Sequence, residues 1–303
     1  MVNHLLLWAA DSPRLERTIT NSKMFGKLVH RFIAGDDLAD ALSAASDLNS
    51  RGIGGITDLL GEGVEDLTGA TEASQEYLSA IAAIAEKKID ATVSLKLSQL
   101  GLVIDPATCA SNLAMILDRA QELGVGVEVD MEQSELVDAT LKVFREAAEQ
   151  HPETRLAIQA NLRRTPSDLD AMMALKPRIR LVKGAYAEPI DVALHSKKEV
   201  DAQFRHLTDW LFEHGSLPAF GTHDLDCIEY AEKAAVRAGV GQQDFEIQML
   251  YGIRRDLQES LAQKGYRVRV YIPYGSAWYP YLMRRMAEKP TNLVFFLRSV
   301  VGS

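Results

Sequence analysis

The chain alternates between short runs of strand character and longer runs of helical character, and it does so eight times. The strand-like runs are GGITDLLGE (54–62), TVSLKLS (92–98), VGVEVDM (125–131), RLAIQANL (155–162), IRLVKGAY (179–186), PAFGTH (218–223), FEIQML (245–250) and RVRVYIPYG (267–275). Each precedes a helical stretch, near 71–88, 106–123, 135–150, 166–175, 197–214, 224–238, 253–264 and 278–289. Alternation of this kind argues for a parallel sheet. Eight such units in roughly 250 residues is the size of a closed barrel. A doubly wound open sheet is the rival. Its nucleotide-binding version lacks its fingerprint here, because no G-x-G-x-x-G follows the first strand. The expected fold is α/β: a (β/α)8 TIM-type barrel with N-terminal helices and a final helix placed over the active-site mouth.

Ahead of the barrel, residues 13–50 read as helical in several pieces. Leu28, Val29, Phe32 and Ile33 form an apolar stripe that Gly35 ends. A helix from Asp37 to Asn49 follows, capped by Asp36 or Asp37 and closed by Arg51-Gly52. The division is then an N-terminal helical segment, 1–52, packed on the barrel, and a catalytic barrel, 53–303.

Of 303 residues, 47% are hydrophobic and 25% charged, the balance of a soluble globular protein. A net charge of -9 argues against nucleic acid as the partner. Cys109 and Cys227 show no metal spacing, and a reduced cytoplasmic setting fits them. Leu5 to Ala10 is apolar but short, with no basic region ahead of it, so it makes a poor signal peptide. No run reaches the roughly 18 apolar residues of a membrane span. The expected location is cytoplasmic, with peripheral contact at the inner face of the membrane left open.

Barrel strands ordinarily carry apolar residues on both faces. Several strands here depart from that in the same manner. Val93, Leu95 and Leu97 oppose Ser94, Lys96 and Ser98; Val125, Val127 and Val129 oppose Glu128 and Asp130. Leu156, Ile158 and Ala160 oppose Arg155, Gln159 and Asn161, while Arg180, Val182, Gly184 and Tyr186 share one phase. The aliphatic faces must pack on the helices, so the polar faces point into the barrel. Lys96, Asp130, Gln159 and Arg180 fall late in their strands, at the end where barrel active sites lie. Burying them together without a purpose is costly. A structural ion network is the competing account of any single member, Glu128 and Arg155 above all. For Glu246 and Gln248 in the seventh strand the pattern supports no firm assignment.

The last unit, YIPYGSAWYPYLMRRMAEK (271–289), passes from strand to helix through Gly275 and Ser276. Tyr271 shares the inward phase with Arg269 and suits a pocket wall; Tyr274 and Tyr281 read as packing residues. Arg284 and Arg285 lie side by side, about 100° apart on a helix, and Glu288 follows Arg284 by one turn. Paired guanidiniums suit a carboxylate or phosphate. The plainer account is a solvated basic face. His223, in GTHD, could be a metal ligand, a base or a hydrogen-bonded structural residue, and no second histidine lies at metal spacing.

The chain has no G-x-S-x-G, no cysteine–histidine pairing and no P-loop. Lys96 or Lys183 could form a Schiff base, as in a barrel aldolase. A non-catalytic protein that senses a carboxylate metabolite through the arginine pair is a further reading. If Lys96 and the arginines bind an anion, hydride or electron chemistry needs a cofactor.

The segments VSLKLSQLGL (93–102), VEVDME (127–132), IQANLRRT (158–165), RLVKGAY (180–186), GTHD (221–224), FEIQMLYGIRRDLQ (245–258) and YIPYGSAWYPYLMRRMAEKPTN (271–292) occur in the order and places of one family. The chain resembles the proline dehydrogenases, flavin-dependent (β/α)8 barrels, in their monofunctional form. The resemblance implies bound FAD, oxidation of L-proline to Δ1-pyrroline-5-carboxylate in proline catabolism, and electrons passed to a membrane quinone. It implies that Lys96, Arg284 and Arg285 hold the proline carboxylate, that Asp130 sits beside the substrate and orders Lys96, and that Tyr271 walls the ring. Arg180 would lie near the flavin N5, with Met131, Gln159, Lys183, Gly184, Ala185, Thr222 and His223 lining the flavin site. Glu288 would fix the arginine pair, and Lys197 would meet the adenine-nucleotide part. Asn161 departs from the pattern, standing where an IQAYL-type segment has an aromatic residue, so contact along the flavin differs there. The unusual Arg163 has no physical account.

Overall fold

The computed structural model describes residues 29–61 and 64–288, the last five of these by backbone alone. Eight parallel strands close on themselves in chain order. They are β1 (Gly54–Leu59), β2 (Ala91–Leu95), β3 (Val127–Val129), β4 (Arg155–Gln159), β5 (Arg178–Val182), β6 (Ala219–Gly221), β7 (Glu246–Leu250) and β8 (Arg267–Tyr274). The last strand pairs with the first, from Gly54 opposite Arg269 to Leu59 opposite Tyr274. The alternation over residues 54–275 is therefore a TIM-type barrel, and the open-sheet rival is excluded.

Helix α1 (Leu38–Asn49) precedes β1. Around the barrel run α2 (Leu67–Lys87), α3 (Pro106–Leu123), α4 (Val137–Gln150), α5 (Thr165–Asp170), α6 (Lys197–His214), α7 (Leu225–Ala238), α8 (Arg255–Gln263) and α9 (Trp278–Glu288). Of the two candidate caps for α1, Asp37 serves, its carboxylate accepting from the Asp40 N–H at 3.1 Å. Helix α1 buries Ala41, Leu42, Ala45 and Leu48. The aliphatic strand faces sit against the helices as the alternation requires: Val93, Leu95, Val127, Val129, Leu156 and Ile158 are all buried in one apolar cluster. Among the described residues no helix is long and apolar enough to cross a membrane.

Some boundaries differ from the sequence expectation. Helix α2 starts at Leu67 because Asp66 caps it, accepting from the Gly69 N–H at 2.9 Å. The helix expected over 166–175 is α5 followed by a 3-10 turn, Met173–Leu175. Lys176 ends that run in a left-handed conformation, φ 47°, and Pro177 behind it disfavours further α-helix. The expected helical pieces before residue 29 lie outside the described residues.

Inside the barrel the usual aliphatic filling is replaced by ions. In the layer at the N-terminal end, Arg155 reaches Glu246 at 2.7 Å and Glu128 at 3.4 Å. Arg269 reaches Glu246 at 3.3 Å, and Gln248 donates to Glu128 at 3.2 Å and to Glu246 at 3.1 Å. Glu246 and Glu128 are 2% and 1% exposed. For Glu128 and Arg155 the structural account holds: they form the ion network of the barrel floor. Burial works against ionisation of Glu246, but Arg155 and Arg269 outweigh it and hold its carboxyl down at about 2, against an ordinary 4.5.

A depressed carboxyl contributes stability above its unfolded pKa and loses it as pH falls through the folded value. For Glu246 this window runs from 4.5 down to about 2, and its worth is roughly 3 kcal/mol. Glu246→Gln should therefore lower the unfolding free energy at pH 7 by about that amount. The gap to wild type should narrow as pH falls from 4.5 toward 2, which denaturant titrations at several pH values will show.

Candidate active site

The C-terminal ends of the strands surround a cavity of 730 Å³. Their later inward positions supply its polar wall: Asp58 on β1, Lys96 just past β2, Asp130 just past β3, Gln159 on β4, Arg180 on β5, Gln248 on β7 and Tyr271 on β8. Tyr281, on α9, also lines it. The final helix thus covers the mouth. Gly275 makes this possible, since the turn into α9 needs φ 120° and a Cβ there would meet the Leu60 carbonyl oxygen at 2.9 Å. Tyr281, read from the sequence as plain packing, is a cavity residue.

Asp130 accepts four hydrogen bonds in this wall. One oxygen, Oδ1, accepts from Ser94 Oγ at 2.9 Å and from Arg180 Nη2. The other, Oδ2, accepts from Tyr271 OH at 2.6 Å and from Lys96 Nζ at 3.2 Å. Burial alone would raise its pKa, but Lys96 and Arg180 outweigh burial and hold the carboxyl below the usual range. Arg180 also pairs with Glu128 at 3.1 Å, joining this wall to the floor. Its guanidinium lies 5.3 Å from the centre of the Tyr271 ring, within cation–π reach.

Lys96 Nζ bridges Asp130 and Asp58, the latter at 2.8 Å. Burial opposes its charge. Asp58, Tyr271 and Asp130 together exceed that opposition and hold the ammonium well above the ordinary lysine range. A Schiff-base lysine needs a free amine at working pH, so this environment works against the aldolase reading. Asp58 is held the other way from Asp130: burial pushes its pKa up, and the nearby Asp130 charge adds to this beyond what Lys96 removes.

On the opposite side, Lys183, Gly184, Ala185, Thr222, His223 and Met131 line the same cavity. Lys183 donates to Asp201 at 2.5 Å and Asp224 at 2.6 Å, and these bonds hold its ammonium above the ordinary range against burial. Lys197 shares both carboxylates. Gly184 has φ 110°, and a Cβ on it would fall 2.1 Å from Asn161 Oδ1, so glycine and asparagine are fitted to each other. The imidazole Nε2 of His223 accepts from the Leu250 N–H at 2.8 Å. Gln159 donates through Nε2 to the Glu132 carbonyl at 2.9 Å, which fixes the amide orientation. Its buried Oε1 is then an acceptor without a donor.

Lys96, Asp130, Met131, Gln159, Arg180, Lys183, Gly184, Ala185, Thr222, His223 and Tyr271, singled out from the sequence, all line this one cavity. The side chains of Arg284, Arg285 and Glu288 lie outside the described residues; the backbone of α9 carries all three. Asp58 and Gln248 are cavity residues that the sequence reading left out. The signal for Asp58 was present: an acid late in a strand, in the phase of Gly54 and Ile56, just as Asp130 shares a phase with Glu128. Gln248 shares a phase with Glu246 in the same way.

A family model described as proline dehydrogenase matches residues 41–298. Proline dehydrogenase 1 of Bacillus subtilis (strain 168) is 36% identical over 99% of this chain and 99% of its own. The proline dehydrogenase of Deinococcus radiodurans is 38% identical over 98% of this chain and 96% of its own. Among solved structures, proline utilization A (PutA) from Bdellovibrio bacteriovorus inactivated by N-propargylglycine matches with a TM-score of 0.81 at 24% identity. That match covers 89% of this chain and 33% of the larger protein, and it bears on the fold alone.

Removing the ammonium should expose how the wall is balanced. Lys96→Met leaves Asp58 and Asp130 facing each other without the cation they share, a loss of about 3–5 kcal/mol at pH 7. Both carboxyls are then pushed up, and protonation relieves their repulsion. Urea unfolding at pH 7 and at pH 5 should show the deficit shrinking at the lower pH.

Proposed function

The chain belongs to the proline dehydrogenase family, and we propose that it works as an FAD-dependent dehydrogenase of L-proline yielding Δ1-pyrroline-5-carboxylate. The observation that carries this is the buried Lys96 ammonium, held charged between two carboxylates in the wall of a 730 Å³ cavity at the strand ends. The cavity's residues suit a flavin. Gln159 Oε1 is a buried acceptor lacking a donor, and an isoalloxazine ring offers an N–H at its pyrimidine edge. Gly184 leaves the room its Cβ would need to the Asn161 side chain, and its backbone stands in the wall of the same cavity. Bound FAD supplies the hydride acceptor for the substrate carbon next to the ring nitrogen.

The residues of this chain bind, orient and balance charge. Lys96 takes the substrate carboxylate, joined by Arg284 and Arg285 from α9, a charge-assisted grip that fixes the position of the reacting carbon. Asp130 holds Lys96 in place. Tyr271, tied to Asp130, forms the wall for the ring. Arg180 would supply positive charge near the reactive edge of a bound flavin, which hydride chemistry there would favour. Met131, Gln159, Lys183, Gly184, Ala185, Thr222 and His223 form the cofactor side. Glu288 steadies the arginine pair from the next helical turn. Electrons leave to a quinone, met by peripheral contact of the cytoplasmic chain with the membrane.

The purified protein should be yellow, and proline added without oxygen should bleach the flavin absorbance. A folded, colourless protein that takes up no FAD would sink the proposal. Arg285→Met should raise the proline KM about tenfold or more, the worth of one charge-assisted hydrogen bond, with FAD retained on dilution. Steady-state kinetics and flavin release measured on the same preparation check both halves.

A further inference from the structure

A secondary amine gives up hydride from the neighbouring carbon only when its nitrogen lone pair is free. Bound proline arrives as an ammonium, so one N–H proton has to leave before the hydride does. We infer that the Asp58 carboxylate receives this proton, with Lys96 as the cation through which substrate and Asp58 are coupled. This rests on the proline-oxidising reading of the site.

Among the described residues, the groups that face the cavity on this side leave one acceptor. Asp130 has both oxygens engaged, by Ser94 and Arg180 on one and by Tyr271 and Lys96 on the other. Its anionic form is held by all of them. Lys96 and Arg180 are already protonated. The phenols of Tyr271 on β8, Tyr274 beside it and Tyr77 on α2 are held above their ordinary range and keep their protons. Glu128 lies a layer lower, under Arg155, Arg180 and Gln248. Asp58 lines the cavity, is 1% exposed, and among the described residues has Lys96 as its one ion-pair partner.

Substrate binding itself should prime it. The Lys96 ammonium at 2.8 Å favours the ionised form of Asp58 against burial and the Asp130 charge, which push the other way. A second carboxylate drawn to the same ammonium weakens that support and raises the proton affinity of Asp58. The event that creates the demand for a proton also delivers one. Lys96 Nζ passes a proton to Asp58 Oδ1 and takes one from the substrate ammonium. The substrate N–H bond breaks, an O–H bond forms on Asp58, and the electron pair stays on nitrogen. Charge within the site is conserved, which matters where water is scarce. When product leaves, Lys96 faces Asp58 and Asp130 alone again, and Asp58 gives its proton to solvent.

Two measurements on the FAD-loaded enzyme test this. With Asp58→Asn, kcat/KM for proline at pH 7 should fall about 100-fold or more, the usual worth of a general base. The deficit should shrink by about tenfold per pH unit toward the pKa of the proline amine, because substrate that is already deprotonated needs no base. A merely structural role gives a deficit that is the same at every pH. Cyclopentanecarboxylate keeps the ring and the acid but has no nitrogen proton to offer. Its calorimetric titration into wild type at pH 7, in buffers of different ionisation enthalpy, should show uptake of about one proton per site, and none in Asp58→Asn. Should that variant not fold, the wild-type uptake decides alone. Binding of the acid without proton uptake, or a pH-independent deficit, overturns the role of Asp58 and leaves proline oxidation intact. Failure of proline to bleach the flavin overturns the reading of the site instead.

Discussion

The charges inside this barrel have to pair with opposite signs and meet in one network before the strands can close over them. Lys96, Arg155, Arg180 and Arg269 are set against Asp58, Glu128, Asp130 and Glu246, and the ion pairs join them from floor to mouth. An unmatched ion at this depth is far costlier than a matched pair. A barrel core filled with valine and leucine carries no such condition, because apolar packing tolerates volume-conserving exchange. Here each inward ion constrains its neighbours around the ring.

That constraint explains why support and chemistry cannot be separated cleanly. Arg180 bonds Glu128 below it and Asp130 above it, so the floor holds the wall. Asp130 in turn orients both Lys96 and Tyr271. A positive group can grip a carboxylate reproducibly only when its own position is fixed beforehand. Placing Lys96 between two carboxylates fixes it. The shared cation favours the charged form of both acids; what drives them apart in proton affinity is that Arg180 and further donors hold Asp130 down, while burial and the Asp130 charge push Asp58 up. Two acids in unlike surroundings can take unlike roles.

Much of this was legible before any coordinates. The β/α alternation dictated the parallel sheet, and its repetition eight times pointed to closure. The phase of polar residues along β2, β3, β4 and β5 marked an interior that was not aliphatic, because side chains alternate strictly along a strand. Asp58 and Gln248 carry the same signature less plainly: β1 holds a single charge in a run of otherwise uncharged residues, and β7, which ends in two apolar residues, supports no firm assignment from its pattern alone. Strand and helix ends were less legible. Caps such as Asp66 and the Lys176-Pro177 stop act through local backbone bonds that periodicity does not register.

The sequence by itself determined the repeating units, the faces each strand must bury and the residue types that reach the interior, since these follow from periods of two and 3.6 residues along the chain. Only the tertiary structure decided which ions meet. Asp58 and Asp130 stand 72 residues apart in the chain and share one ammonium because β2 pairs with β1 on one side and β3 on the other, so that inward positions of the three strands meet around Lys96. Protonation followed from that meeting: a carboxylate keeps or yields its charge according to the neighbours that the closed ring places around it.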